Sequence, residues 1–308
     1  MTNITSGTIS STLSGCYTAL ITPFRDDQID KPALQALVQR QIGGGVSGLV
    51  PCGTTGEAPA LSAPEWERVV AVVVETADGR VPILAGTGSN NTATVVERTR
   101  RARALGADGA LVVTPYYNRP TQDGLYRHFV AIADAVDLPL VLYNVPGRTG
   151  VNLLPETVVR LADVPSIVGI KEASGSLDQA SQIMREASRD YVILSGDDSL
   201  TLPMMGIGAR GVISVVSNIV PEAVSALTSA CLEGDFVTGR TLHLALFDLC
   251  RAMFVETNPT PVKAAAALLG YSSPEVRLPL APLSEVAQRR VETALAAWQA
   301  TPAAALAA

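Results

Sequence analysis

Eight short apolar runs recur along the chain, separated by stretches with the 3.6-residue periodicity of amphipathic helices. The runs are CYTALITPF, GLVPCG, VPILAGTG, GALVVTPYY, PLVLYNVP, IVGIKEAS, VILSGDD and GVISVVSN, and the helical stretches include KPALQALVQRQI, PEWERVVAVVVETA, TATVVERTRRARALG and DQASQIMREAS. Val, Ile and Leu occupy successive positions in these runs, which is typical of parallel strands covered on both faces. Eight βα units within about 215 residues therefore predict an α/β fold of the closed (β/α)8 TIM barrel type rather than an open doubly wound sheet.

The strand pattern stops near Cys231. The segments GRTLHLALFDLCRAMF, PTPVKAAAALLG and LSEVAQRRVETALAAWQ, which follow it, have helical periodicity and predict a C-terminal helical appendage. We therefore expect a flexible N-terminal tail over 1–14, the barrel over 15–231, the C-terminal helical region over 232–300 and a frayed tail over 301–308.

Composition restricts the class of partner. Of the 308 residues, 47% are hydrophobic and 17% are charged, which is enough apolar material for a large core. The net charge of −6 and a pI near 5.0 argue against nucleic-acid and anionic-membrane partners, because both need clustered Lys and Arg. The chain opens without the pattern of a secretory signal, and its apolar runs are too short to cross a bilayer, so we expect a cytoplasmic protein that acts on small molecules.

The sequence lacks the residue patterns of the most common catalytic centres. The four cysteines are widely scattered, which suggests neither a zinc site nor a disulfide framework. The two histidines, His128 and His243, both lie in helical patterns, which disfavours a Ser-His-Asp site and a His-rich metal centre. The adjacent Asp197 and Asp198 are better explained by helix capping than by metal binding. These residues therefore give no reason to expect a metal centre.

One lysine stands at the end of a strand that is otherwise apolar. Lys171 lies in IVGIKEASGS, and burying an unpaired ammonium costs about 3–5 kcal/mol, so this amine is paired, partly wet or used for chemistry. In a TIM barrel the chemistry occurs at the carboxyl ends of the strands. Side-chain alternation places Lys171 on one face with Gly169 and Ala173, and Val168, Ile170 and Glu172 on the other.

Three other strand ends carry polar side chains. They are Thr54 and Thr55 in PCGTTGEAP, Tyr116 and Tyr117 in VVTPYYNRP, and Tyr143 and Arg148 in LYNVPGRTG. Taken singly, each has a structural explanation: threonines capping a glycine-rich turn, tyrosines packing at the rim, or an arginine capping a loop. Together with a lysine they suggest a site for a carbonyl compound that bears carboxylates. A lysine whose pKa is lowered can attack such a carbonyl to form an imine, and hydroxyl groups can then move the protons.

The motifs GTTGE, TPYYNRPTQDGLYRHF, YNVPGRTG, GIKEASG and SGDD, in this order, resemble the dihydrodipicolinate synthase family, also called 4-hydroxy-tetrahydrodipicolinate synthases. The resemblance covers nearly the whole chain after the first dozen residues. It implies a class I aldolase, a lyase that forms a Schiff base and condenses pyruvate with aspartate semialdehyde in diaminopimelate and lysine biosynthesis. It also implies that no metal or organic cofactor is needed.

The resemblance implies a role for eight residues. In catalysis, Lys171 forms the pyruvate imine, Tyr143 transfers protons, and Thr54 links Tyr143 to Tyr117 in a hydroxyl relay. In substrate binding, Thr55 holds the pyruvate carboxylate and Arg148 holds the carboxylate of the semialdehyde. Gly196 and Ile213 shape the pocket.

The resemblance also bears on assembly and regulation. In the family the counterpart of Tyr117 reaches the neighbouring subunit's site, which implies a homodimer or a homotetramer. Members inhibited by lysine carry polar or basic side chains where this chain has Ala63, Trp66 and Thr94. We therefore expect weak inhibition by lysine or none.

Two other functions stay open at this point. Sialic acid lyases and related sugar-acid aldolases share the lysine and the strand-end tyrosine, but they resemble GSTGE rather than GTTGE and usually lack an arginine at the place of Arg148. The choice of second substrate therefore depends on Arg148 more than on Lys171. The other alternative is a catalytically silent barrel that serves as a binding module.

Overall fold

The eight apolar runs form eight parallel strands in a computed structural model that describes residues 13–188 and 190–301. The strands are β1 (Gly15–Ala19), β2 (Gly48–Val50), β3 (Leu84–Gly86), β4 (Gly109–Val113), β5 (Leu140–Asn144), β6 (Ile167–Glu172), β7 (Val192–Ser195) and β8 (Gly211–Ser214). A two-stranded antiparallel ribbon, Phe24–Arg25 with Gln28–Ile29, lies between β1 and the first helix.

The strands pair in the order β2-β1-β8-β7-β6-β5-β4-β3, so neighbours in sequence are neighbours in space except at one junction. That junction, between β2 and β3, is closed by a parallel bridge from Leu49 to Ile83 and by a hydrogen bond from the Gly86 N–H to the Pro51 carbonyl of 2.9 Å. The sheet is therefore a nearly closed barrel. The predicted TIM barrel is confirmed.

Twelve α-helices lie in the described residues. They are α1 (Lys31–Gly43), α2 (Ala63–Ala77), α3 (Thr92–Ala104), α4 (Gln122–Ala135), α5 (Pro146–Thr149), α6 (Pro155–Ala162), α7 (Leu177–Glu186), α8 (Thr201–Gly206), α9 (Pro221–Leu232), α10 (Phe236–Ala252), α11 (Thr260–Leu268) and α12 (Glu285–Gln299). None of these helices combines the length and the apolar character needed to cross a membrane.

Local sequence explains where many of these helices begin. The Asp30 side chain accepts from the Ala33 N–H at the start of α1, and Ser62 with Glu65 forms a capping box at the start of α2. Proline occupies the first turn of α9, where its missing N–H would have had no helical partner. These signals place the strand-to-helix joints, which in a barrel surround the carboxyl ends of the strands.

The apolar core has two layers. The outer layer lies between strands and helices, and the inner layer fills the barrel with side chains that include Tyr17, Leu84, Val141, Leu194 and Ile213. Each strand contributes to both layers because its side chains alternate. The side chains at the carboxyl ends of the strands are therefore supported from below by a packed interior.

The predicted alternation on β6 is wrong at one residue. Leu140 pairs with Ile167, but Val141 pairs with Gly169, so Val168 is an extra residue in the ladder, as in a β-bulge. Val168 consequently packs in the inner layer with Val141 instead of facing outward.

The C-terminal segments form the predicted helices. α10 packs on α9 and α12, and α11 packs on α12. Residues 1–12 of the expected N-terminal tail and 302–308 of the expected C-terminal tail lie outside the described residues. Leu13 is buried in the inner layer, with 1% of its surface exposed. The division of the chain at residues 14, 231 and 300 stays a prediction.

Candidate active site

Lys171 and Tyr143 lie side by side at the carboxyl ends of β6 and β5. The two residues are paired in the strand register, and the Lys171 Nζ lies 4.4 Å from the centroid of the Tyr143 ring. Both side chains are buried, with 4% of Lys171 and 7% of Tyr143 exposed. Within the described part of the chain, Lys171 makes no hydrogen bond or ion pair, so no carboxylate holds the amine away from a substrate.

Gly196, which follows β7, lies against the lysine side chain. A Cβ at Gly196 would lie 3.1 Å from both Cγ and Cε of Lys171 and 2.5 Å from the Cβ of Ala173. A larger residue there would displace the amine. Ile213 on β8 is fully buried in the same inner layer as Tyr143.

The turn after β2 carries the two threonines. The Gly56 and Glu57 N–H groups donate to the carbonyls of Gly53 and Thr54, both at 3.1 Å, and Thr22 Oγ1 donates to the Gly56 carbonyl at 2.7 Å. Thr54 is half-buried and Thr55 is buried. The turn is thus fixed by its own backbone and by the loop after β1.

A cavity of about 350 Å³ opens at this end of the barrel. Of the predicted residues, Thr54, Tyr143 and Arg148 line it, together with Tyr116 and other residues of the surrounding loops. Lys171 is not among the lining residues and adjoins the cavity through the Tyr143 ring.

Asn258 is a site residue that sequence reasoning missed. Its Nδ2 donates to Thr55 Oγ1 at 3.0 Å, and its carbonyl accepts from Arg148 Nη2 at 3.3 Å. It precedes α11 and so connects the C-terminal region to both predicted carboxylate-binding residues. The only sequence signal was a single amide in the stretch FVETNPTPVK.

Tyr117 is placed differently from the other predicted residues. Its φ is +71°, a conformation uncommon for a bulky residue, and 88% of its surface is exposed. Its neighbour Tyr116, not Tyr117, lines the cavity of this chain. The two phenols adjoin in sequence and point to different surroundings.

The paired aspartates after β7 act as caps, as the sequence predicted. Asp197 Oδ1 accepts from the Ser199 N–H at 2.9 Å, and Asp198 Oδ2 accepts from the N–H groups of Val215 and Val216. Burial raises the pKa of Asp198. In residues 13–188 and 190–301, no group of three or more His, Cys, Asp and Glu side chains is arranged to hold a metal ion.

Neither histidine lines the cavity at the strand ends. His128 on α4 is buried, its Nδ1 is 2.9 Å from Thr92 Oγ1, and burial lowers its pKa to about 4. His243 lies on α10, and burial lowers its pKa as well. Both rings therefore favour the neutral form at neutral pH, and His128 ties α4 to α3.

A second cavity, of about 440 Å³, lies between α2 and α3. Ala63, Trp66 and Thr94, the residues on which the lysine prediction depends, all line it. Trp66 is buried and its Nε1 donates to the Gly86 carbonyl at 2.9 Å. The indole N–H therefore donates to the protein backbone and is not available to a ligand. The prediction of weak or absent lysine inhibition stays a prediction.

Comparison with known proteins shows the family of the chain. The model of the dihydrodipicolinate synthetase family matches residues 12–298. A 4-hydroxy-tetrahydrodipicolinate synthase of Thermomicrobium roseum is 57% identical over 284 residues, covering 92% of this chain and 94% of the relative.

Solved structures of similar proteins have the same fold. The 4-hydroxy-tetrahydrodipicolinate synthase of Methylacidiphilum fumariolicum superposes with a TM-score of 0.92 at 48% identity, covering 93% of this chain and 96% of that one. A dihydrodipicolinate synthase variant described as monomeric superposes with a TM-score of 0.93 at 41% identity, covering 95% of this chain and 99% of that one.

Proposed function

The chain belongs to the dihydrodipicolinate synthetase family and is a class I aldolase-type synthase, and on this premise we propose that Lys171 carries its chemistry by forming a Schiff base with pyruvate. The activity is that of a 4-hydroxy-tetrahydrodipicolinate synthase, which serves lysine and diaminopimelate biosynthesis. The substrates are pyruvate and aspartate semialdehyde. The observation that carries the assignment to Lys171 is its buried amine, with no acidic partner among the described residues, 4.4 Å from the centre of the Tyr143 ring.

The proposed reaction begins at the carbonyl of pyruvate. The neutral amine of Lys171 attacks this carbon, and loss of water gives an imine. A proton then leaves the methyl carbon, and the resulting enamine adds to the aldehyde carbon of the semialdehyde to form a carbon–carbon bond. Each step moves a proton, and we assign this acid–base role to the phenol of Tyr143, whose ring centre lies 4.4 Å from the amine.

Two candidate carboxylate sites lie at the ends of one hydrogen-bonded path. Thr55 and Arg148 are both bound by Asn258, at its side chain and its carbonyl respectively. A guanidinium has five N–H donors, and Arg148 gives one of them to Asn258. The others remain for a substrate carboxylate. We assign Thr55 to pyruvate and Arg148 to the semialdehyde.

The proton relay from Tyr143 and Thr54 is completed, in this proposal, by Tyr117 of a second copy of the chain. Support comes from the 88% exposure of Tyr117 on its own subunit and from its φ of +71°, a strained conformation of the kind that recurs at functional sites. A homodimer is then the smallest active unit. We also propose that the protein assembles as a homotetramer and acts in the cytoplasm.

Substrate preference tests the proposal directly. Purified protein should consume pyruvate together with aspartate semialdehyde and should show little cleavage of N-acetylneuraminate or of other sugar acids. Lys171→Ala, which removes the amine together with the rest of the side chain beyond Cβ, should abolish the condensation. Faster turnover of a sugar acid, or full activity in Lys171→Ala, would contradict the proposed assignment.

A further inference from the structure

Glu172 is a buried acidic residue for which the proposed mechanism has no role. It follows Lys171 on β6, faces the opposite side of the strand, and only 4% of its surface is exposed. No Lys, Arg or His side chain in the described ranges forms an ion pair with it. A buried carboxylate without a cation is stable only when hydrogen bonds replace its water shell.

Backbone and amide groups supply those hydrogen bonds. Asn144 Nδ2 lies 3.1 Å from Oε2 and 3.4 Å from Oε1, Gln179 Nε2 donates to Oε2 at 3.1 Å, and the Ser174 N–H donates to Oε1 at 2.6 Å. All three partners are N–H donors. An ionised carboxylate, which only accepts hydrogen bonds, matches this set; a neutral amide does not, because half of it donates.

The partner on β5 is itself fixed in place. Asn144 Nδ2 also donates to Asn152 Oδ1 at 2.8 Å, and Asn144 Oδ1 accepts from the Leu153 N–H at 2.9 Å. Asn152 in turn donates to Gln179 on α7 at 2.8 Å. The network therefore joins β5, β6, the segment before α6 and the first turn of α7.

The strand register places this hydrogen-bond network next to Lys171 and Tyr143. Tyr143 pairs with Lys171, and one residue further along the same two strands Asn144 pairs with Glu172. The inward-facing pair carries the amine and the phenol. The outward-facing pair is hydrogen-bonded, side chain to side chain, immediately beyond it.

We propose that Glu172 is a positioning residue that locks the ends of β5 and β6 together and so holds the Lys171 amine beside the Tyr143 ring. The inference rests on the proposed role of Lys171 and adds to it. Glu172 touches neither substrate, and its effect passes through the strand ends. A shift of about 1 Å in a reacting group can lower a rate by about a hundredfold, so a small loss of register is measurable.

Glu172→Gln tests the proposal because it keeps the shape of the side chain and removes half of its acceptors. We expect pyruvate to be trapped on Lys171 by borohydride about tenfold to a hundredfold more slowly than in the wild type, with little change in KM for pyruvate. The exposed Glu156→Gln, on α6, is the matched control and should trap at the wild-type rate. Circular dichroism checks that each variant is folded.

The double variant Asn144→Asp with Glu172→Gln exchanges the amide and the carboxylate between the two strands. It retains one charge, and rotation of the Gln179 and Asn152 side-chain amides by half a turn lets each donor of the exchanged network meet an acceptor again. We therefore expect it to regain most of the trapping rate. If Glu172→Gln alone proves too unstable to purify, this double variant decides the question by itself.

The proposal is overturned if folded Glu172→Gln traps pyruvate at the wild-type rate, or if the folded double variant traps it more than tenfold more slowly than the wild type. A failure of the proposed function looks different. In that case the wild-type protein itself would not be labelled at Lys171.

Discussion

At the scale of single residues, the proposed site depends on the surroundings of one amine. Lys171 could be predicted as a candidate because a lysine at the end of an apolar strand needs an explanation, and its neighbours Gly169 and Ala173 were placed correctly by alternation. Val168 was not, because a bulge cannot be detected from the apolar pattern alone. Asn258 was missed because its contacts to Thr55 and Arg148 cross 203 and 110 residues of sequence.

Removal of the Arg148 guanidinium should act on the second substrate. In Arg148→Ala we expect kcat/KM for aspartate semialdehyde to fall about tenfold to a hundredfold, since a charge-assisted hydrogen bond contributes about 1.5–3 kcal/mol. Imine formation with pyruvate should continue. Steady-state kinetics with each substrate varied in turn measures both effects.

The control for this variant is Arg127→Ala on α4. Arg127 is an exposed arginine whose ion-pair partner is Asp123, one helical turn away. This variant should leave kcat/KM for both substrates unchanged. An Arg148→Ala enzyme with unchanged kinetics toward the semialdehyde would remove Arg148 from the proposed site.

At the scale of structural elements, the C-terminal region supports the turn that carries Thr54 and Thr55. Glu57, in the same turn, has a φ of +53°, and its carboxylate accepts from Lys263 Nζ of α11 at 2.5 Å and from the Arg277 N–H at 3.0 Å. The helices themselves were predictable from their periodicity. Their attachment to the turn was not, because a buried ion pair between distant segments leaves no local pattern.

Breaking that ion pair should destabilise the protein. Lys263 and Glu57 are both almost fully buried, so Lys263→Met leaves a carboxylate without its cation and should lower the free energy of unfolding by about 3–5 kcal/mol. Urea denaturation followed by circular dichroism measures the change. The double variant Lys263→Met with Glu57→Gln also removes the unpaired carboxylate charge and should recover part of the lost stability. A shift below about 1 kcal/mol in the single variant would show that the pair contributes little.

The ion pair between Arg277 and Glu65 should make stability depend on acid pH. The hydrogen bond from Arg277 Nη2 lowers the pKa of Glu65 from 4.5 to about 2. The pair therefore contributes fully above pH 4.5, and its contribution is lost as the pH falls from 4.5 toward 2. Glu65→Gln should be less stable than the wild type at about pH 7, and the difference should shrink at about pH 3.

Urea midpoints of the two proteins at both pH values provide the measurement. Glu97→Gln, at an exposed position on α3, is the control for loss of a surface charge. If the difference between Glu65→Gln and the wild type were constant with pH, the coupling between Arg277 and Glu65 would be disproved.

At the scale of the whole molecule, the barrel was predictable because each of its eight units carries the same signal, a short run of Val, Ile and Leu before a helical stretch. The cavity could be located as well, because strand ends converge at one end of any such barrel. Assembly was not predictable from the residues themselves. Only the resemblance suggested that Tyr117, which is 88% exposed here, serves another subunit.

Complementation between two inactive variants tests that exchange. Tyr117→Phe retains Lys171 but lacks the relay phenol, whereas Lys171→Ala retains the phenol but lacks the amine. In a mixed dimer one site regains both groups, so co-expression of the two variants should restore about a quarter of the wild-type activity. The isolated variants should each have almost none.

The control is Tyr126→Phe on α4, whose ring packs against the Arg160 guanidinium and does not need its hydroxyl to do so. It should stay fully active. Absence of recovery in the mixed dimers, or full activity in Tyr117→Phe alone, would show that Tyr117 does not complete a neighbouring site.

The most direct measurement is mass spectrometry of the protein after treatment with pyruvate and borohydride. We predict a single reduced pyruvate adduct, located on the peptide that contains Lys171 and absent when pyruvate is omitted. An unmodified Lys171, or an adduct on another lysine such as Lys263, would contradict the central claim that this buried amine is the nucleophile.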